Sequence, residues 1–181
     1  MMLTIDPKRS LLLVVDFQSR LMPAIDAGAV AIRNANRLIG MAELVGIPFM
    51  FTEQNAKGLG STVKELAVEN GSLVHKQFFD ACRENGFLDR VPADVDVVVA
   101  GCEAHVCVQQ TVLGLLNASR KAYVVRDALG SRSPEDKETA IRRMERHGAE
   151  IVTTEMVVFE WLQTAEHRNF RDAIVLIKER G

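Results

Sequence analysis

Two apolar runs dominate the chain. Leu11-Leu12-Leu13-Val14-Val15, within a segment from Ser10 to Asp16, has no polar interruption, and neither does Val97-Val98-Val99-Ala100, which Gly101 closes. Runs of this length without alternation predict strands buried on both faces, as in a parallel sheet covered by helices. The pattern between them changes period. Val30, Ile32, Ala35, Leu38, Ile39, Ala42 and Leu44 recur at helical spacing over Ala27 to Val45, and Gly46 is placed to stop that helix in a left-handed turn. Ile47 to Thr52 reads as a second strand, Thr62 to Ala67 as a short helix and Ser72 to Gln77 as a third strand. After Gly101, Val106, Val108, Val112, Leu113, Leu115 and Leu116 mark a helix from about His105 to Ser119.

Ala122 to Arg126 predicts another strand, ending at Asp127. Ser133-Pro134-Glu135-Asp136 opens a helix with a capping serine, proline at its first position and acids in the first turn, and His147-Gly148 closes it. Ile151 to Thr153 is a last strand, followed by one or two helices from Glu155 to Lys178 around Trp161. The alternation of about six strands with helices specifies an α/β fold, a three-layer α/β/α sandwich on a doubly wound, mostly parallel sheet. One domain over residues 1–181 accommodates it.

Composition narrows the classes of partner. The 22 basic and 24 acidic residues give a formal net charge of −2, with no basic stretch interleaved with aromatics, so nucleic acid is not an expected partner. No apolar run approaches the roughly 20 residues that span a bilayer, so no membrane partner is expected either. Three cysteines, Cys82, Cys102 and Cys107, form neither a disulfide framework nor a zinc-knuckle spacing, and they point to a reducing, cytoplasmic compartment.

The candidate chemistry lies where strands end, because ligands of open α/β sheets bind beyond the carboxyl ends of the strands. Asp16 ends the first strand, Lys76 lies at the end of the third, and Cys107 falls in the first turn of the helix after Gly101. Unpaired amides and the helix dipole at such a turn favour an anion, so the thiol is expected to ionise more easily there. Each residue has a plainer reading. Cys107 fits a buried structural cysteine, Asp16 a turn former and Lys76 a solvated surface charge. As a set they supply a nucleophile, a proton acceptor and a cation, and amides at the helix start can hold an oxyanion. Gln18, Leu21, Gln54 and Phe78 are candidate substrate-binding walls. The Lys57-Gly58-Leu59-Gly60 loop is not a Walker loop, and His75, His105, His147 and His167 are scattered, with His105 alone close to the candidate site.

Three blocks, Asp16-Phe17-Gln18 after an apolar strand, Lys76 followed by aromatics, and Gly101-Cys102-Glu103-Ala104-His105-Val106-Cys107-Val108, occur in the order found in the isochorismatase-like hydrolases. The chain resembles this superfamily of cysteine hydrolases, which includes nicotinamidases and carbamoylsarcosine amidohydrolases, over nearly its whole length. The resemblance implies Cys107 as nucleophile, Asp16 as general base and later proton donor, and Lys76 as the supporting cation. It also implies a cis peptide between Cys102 and Glu103 that turns the Glu103 and Cys107 amides toward the oxyanion, no cofactor, a small-molecule substrate and a homo-oligomer. Two departures stand out. Ala104 occupies a position where the family commonly has threonine, and the segment Thr52-Glu53-Gln54 lacks the Asp-x-His pattern of the metal-binding nicotinamidases, so no metal is expected. The resemblance thus implies a metal-independent hydrolase of small amides or related C–N bonds. Hydrolysis of an isochorismate-type vinyl ether and a non-catalytic module sensing oxidation through Cys102 and Cys107 are the alternatives.

Overall fold

A computed structural model describes residues 3–178. Residues 1, 2 and 179–181 of the expected domain lie outside the described residues. The elements are β1 (Ser10–Val15), α1 (Gly28–Val45), β2 (Phe49–Gln54), α2 (Ala56–Leu59), β3 (Ser72–Lys76), β4 (Asp96–Cys102), α3 (Gln109–Asn117), β5 (Ala122–Gly130), α4 (Pro134–Arg146), β6 (Glu150–Val152), α5 (Thr154–Leu162) and α6 (Phe170–Lys178). A single π-helical turn, Ala104–Val108, joins β4 to α3.

The six strands pair in parallel in the order β3-β2-β1-β4-β5-β6. Alternate side chains of each central strand enter opposite layers, as the period of two requires. Leu12, Val14, Val98 and Ala100 join the core under α1 and α5, while Leu11, Leu13, Val15, Val97 and Val99 join the core under α3 and α4. Each strand therefore needs apolar residues at every position, which is why the two runs show no alternation.

Strand order reverses between β1 and β4, the topological switch point where such sheets open a crevice at their carboxyl edge. Register places Val15 opposite Thr52 on one side and Gly101 on the other. Gly101 is required by close approach: a Cβ there would lie 2.6 Å from the Val15 carbonyl oxygen.

Several element boundaries differ from the sequence reading. Thr62 to Ala67 is not helical; α2 instead forms a helical turn in the stretch that holds the Lys57-Gly58-Leu59-Gly60 loop. Long-range bonds decide this, because the buried Glu53 Oε1 accepts from Thr62 N at 2.7 Å and Thr62 Oγ1 at 2.9 Å, and Thr62 bridges Gln18. β5 continues past Arg126 to Gly130 after its pairing with β4 shifts register between Val99 and Gly101. Asp127 lies within that extension and its Oδ1 accepts from Thr154 N at 2.8 Å, helping Thr153 cap α5. The C-terminal segment forms two helices, α5 and α6. Among the described residues, no helix is long and apolar enough to cross a membrane.

Candidate active site

Asp16 is the first residue beyond β1 and is fully buried, with φ of 51°. A left-handed aspartate costs about 1 kcal/mol and turns the chain out of the sheet just where its side chain meets β2 and β3. Its Oδ1 accepts from Thr52 Oγ1 at 2.6 Å. Its Oδ2 lies 2.7 Å from Lys76 Nζ, yet accepts no well-directed hydrogen bond. This buried oxygen therefore keeps a lone pair available.

Lys76, the last residue of β3, is 1% exposed and belongs to the interior rather than the surface. Nζ donates to Gln54 Oε1 at 2.8 Å and reaches the Phe78 and Phe79 carbonyls at 3.5 Å. A buried ammonium persists when an opposite charge and further acceptors surround it, and both are present.

Cys107 sits in the π-helical turn after β4, 6% exposed. The expectation of an easily ionised thiol does not hold in the resting site. Burial pushes the Cys107 thiol up to about 12, the Asp16 charge pushes the same way, and Lys76 opposes them. Desolvation and a neighbouring carboxylate outweigh the helix start. The thiol interacts with both Asp16 and Lys76, so strand ends 16 and 76 and the turn at 107 converge on one point.

A cavity of about 320 Å³ opens over this cluster, with Asp16 and Cys107 in its wall. Leu21, Leu59, Val106 and Phe79 supply its apolar sides, and Gln54, Glu103 and Arg132 its remaining polar groups. Two of the expected wall residues are elsewhere. Gln18 is fully buried and acts as a brace: its Nε2 donates to the Gln54 and Gly60 carbonyls at 3.0 and 2.6 Å, and its Oε1 accepts from Gln54 N at 2.8 Å. Phe78 is 45% exposed with Arg83 over its ring, and Phe79 takes the wall position instead. Both Nε2 hydrogens of this glutamine are thus spent on the backbone, which leaves no donor for a ligand.

The Cys102–Glu103 peptide is cis. Val106 N and Val108 N both donate to the Glu103 carbonyl, at 3.1 and 3.2 Å. The Glu103 carboxylate accepts from Arg132 N at 3.2 Å and Arg132 Nε at 2.9 Å, tying the turn to the loop after β5. His105 Nδ1 lies 3.0 Å from Ser131 Oγ in the same loop. Cys102 packs in the core under α1, whereas Cys107 belongs to the core under α3 and α4. The two thiols thus face opposite sides of the sheet, which removes the basis for a Cys102–Cys107 switch. Thr52, Phe79 and Arg132 are the site residues that sequence reasoning missed.

A cavity of about 470 Å³ at the other edge of the sheet is lined by Arg9, Asp96, Lys121 and Glu150 among others. Those charges already pair, Arg9 with Asp96 at 3.7 Å and Lys121 with Glu150 at 2.9 Å, and no thiol is near. Among the described residues, no group of three or more His, Cys, Asp or Glu side chains is arranged to hold a metal ion.

A carboxylate, an ammonium and a thiol thus gather at the switch point of a doubly wound α/β sheet. Residues 10–156 match the isochorismatase domain, and the chain belongs to that family. It is 36% identical over 177 residues to isochorismatase domain-containing protein 1 of Danio rerio, covering 96% of this chain and 62% of that protein, so the chain spans less than two thirds of that relative's length. With isochorismatase domain-containing protein 2 of the same organism it shares 34% identity, over 91% of this chain and 85% of the relative. The solved structure of MAR1 ribonuclease from Caenorhabditis elegans superposes with a TM-score of 0.90 at 35% identity, covering 97% of this chain and 93% of that one.

Proposed function

We propose that the chain is a cysteine hydrolase that cleaves a small amide or related C–N bond through a thioester on Cys107. One observation carries the reading. A buried carboxylate oxygen, fixed by Thr52 and Lys76 but with a lone pair unfilled, stands beside a protonated thiol in the wall of a small cavity. Asp16 Oδ2 takes the thiol proton as sulfur attacks the substrate carbonyl. The Lys76 charge offsets the negative charge shared by sulfur and carboxylate during that transfer.

The tetrahedral oxyanion is held by the Glu103 and Cys107 amides; the Val106 and Val108 amides are already occupied by the Glu103 carbonyl. Asp16 then returns the proton to the leaving nitrogen, and the C–N bond breaks to leave the acyl group on sulfur. Water deprotonated by the same carboxylate adds to the thioester, the proton returns to sulfur, and carboxylic acid and free thiol result. No resident cofactor or metal is invoked at any step. A vinyl ether would not need the thiol as nucleophile, so the position of Cys107 against Asp16 favours the amide.

The Caenorhabditis elegans neighbour is described as a ribonuclease. On this chain, with its net charge of −2 and a cavity of about 320 Å³, a small molecule fits the site better than a polynucleotide. A reducing cytoplasm and a homo-oligomeric state belong to the same proposal. The test is ammonia release from a panel of small primary amides and carbamoyl compounds, with RNA included as a competitor class. Turnover that Cys107→Ser abolishes is the expected result. Failure of every amide at high enzyme concentration, or equal alkylation of Cys82, Cys102 and Cys107, rejects the mechanism.

A further inference from the structure

At the amino edge of the sheet, opposite the edge that carries Cys107, two buried polar groups face one cavity without the partners their burial requires. Asp96 opens β4, and its side chain is only 12% exposed, yet its carboxylate accepts no hydrogen bond among the described residues. Its one ionic neighbour is Arg9, 3.7 Å away, a longer separation than a hydrogen bond spans. Tyr123, on the neighbouring strand β5, is 1% exposed and its hydroxyl is likewise unpartnered. Lys121 Nζ stands over the Tyr123 ring, 4.5 Å from its centroid, and bonds Glu150 at 2.9 Å. The charges of Lys121, Glu150 and Asp96 all act on the Tyr123 hydroxyl, so it ends against the cavity of about 470 Å³ that these three residues and Arg9 line. Protein interiors pair nearly all such groups, and a carboxylate and a phenol left open together mark the place of a missing donor.

We propose that this cavity is a second binding site, for a small zwitterion with a primary ammonium at one end and a carboxylate at the other. The ammonium donates to the Asp96 carboxylate and to the Tyr123 hydroxyl, which has lone pairs to accept it. The protein's own cations are held away from that role. Lys121 is tied to Glu150, and Arg9 Nε is anchored on the Asp94 carbonyl at 2.8 Å, which keeps the half-exposed guanidinium at the rim. Once an ammonium neutralises Asp96, the Nη groups of Arg9 are free to pair with a carboxylate in their fork geometry. A deep acid and an outer base thus orient the ligand, ammonium inward and carboxylate toward solvent. The cavity volume suits a small molecule.

Isothermal titration calorimetry with glycine, γ-aminobutyrate and 6-aminohexanoate tests this, with butylamine and butyrate as controls that carry one charge each. At least one zwitterion is expected to bind saturably with a Kd below about 1 mM, roughly tenfold or more tighter than either control. The chain's single tryptophan locates the binding, because Trp161 Nε1 donates to Ser10 Oγ at 3.0 Å and Ser10 lies opposite Asp96 in the β1–β4 register. Its fluorescence is expected to change along the same isotherm. Asp96→Asn is expected to weaken the zwitterion about tenfold or more, and Arg9→Gln to reduce it to the affinity of butylamine. Urea unfolding shows whether each variant is folded, and Arg9→Gln carries the test if Asp96→Asn is not. Absence of saturable binding by every zwitterion, butylamine binding as tightly as they do, or an affinity that a folded variant leaves unchanged overturns the site. None of these results involves Cys107, so the hydrolase reading stands or falls separately.

Discussion

Thr52 shows how much of a buried carboxylate's behaviour is decided by one neighbouring hydroxyl. Its hydroxyl donates to Asp16 Oδ1, so in the proposed mechanism the Cys107 proton goes to Oδ2, the oxygen that accepts no hydrogen bond. Thr52→Val keeps the shape of the side chain and frees the wrong oxygen. Iodoacetamide labelling of Cys107 is expected to slow about tenfold, with Thr52→Ser restoring most of the rate because it returns the hydroxyl. Lys76 has a different weight. Both partners of the Lys76–Asp16 pair are 0% exposed, so truncating one leaves the other charge stranded in the interior. Lys76→Met is expected to lose about 3–5 kcal/mol of stability in urea unfolding, together with thiol reactivity. A loss of reactivity with unchanged stability would mean that Asp16 takes up a proton when its partner is gone.

At the scale of elements, the site is a consequence of where strands stop. Asp16, Lys76 and the turn at Cys107 were legible in the sequence because uninterrupted apolar runs reveal strands, and strand ends in such a sheet share one edge. Gln54, expected as a wall residue, obeys the same rule on β2, and Thr52 could have been found by it. Arg132 could not. It reaches the site because β5 shifts register against β4 and runs on to Gly130, a feature that periodicity does not encode. The stretch Thr62 to Ala67 was illegible for a related reason: Glu53, at the buried end of β2, captures Thr62 and overrides local helix preference. Burial also reversed the thiol's tendency to ionise, and sequence position cannot report burial. The contact between β1 and β4 gives a direct check on the element argument. Gly101→Ala forces a methyl to within 2.6 Å of the Val15 carbonyl oxygen and the Val15 Cβ. Thermal or urea unfolding is expected to show a loss of about 2 kcal/mol or more, accompanied by slower Cys107 alkylation as the turn moves off the Asp16 carboxylate.

For the whole molecule, the cysteines link stability to alkaline pH in a direction fixed by burial. Cys102 is 0% exposed, and its thiol is held well above the ordinary range chiefly by that burial, with the nearby Glu103 charge adding to it and a Gly130 backbone hydrogen bond opposing it. Burial likewise pushes Cys82 and Cys107 up to about 12. Unfolding returns these thiols to water, where they ionise from about pH 8.5. Above that pH the unfolded chain releases protons that the folded chain retains, so the unfolded state is favoured by about 1.4 kcal/mol per pH unit for each such thiol. The contribution of each thiol to stability is complete below about pH 8.5 and disappears as the pH climbs toward its folded value. Cys102→Ala separates this effect from every other alkaline titration. At pH 7 the variant is expected to be about 1 kcal/mol less stable, because a small cavity replaces the sulfur in the core under α1. Between pH 9 and 11 its stability should fall less steeply than that of the wild type, by close to one proton's worth of slope, so the two curves cross a little above about pH 9 and the variant is the more stable at pH 11. Urea unfolding under reducing conditions at half-unit pH intervals measures both slopes. Parallel curves across that range would show that Cys102 ionises in the folded protein as readily as it does in water, and that the core under α1 is open to solvent.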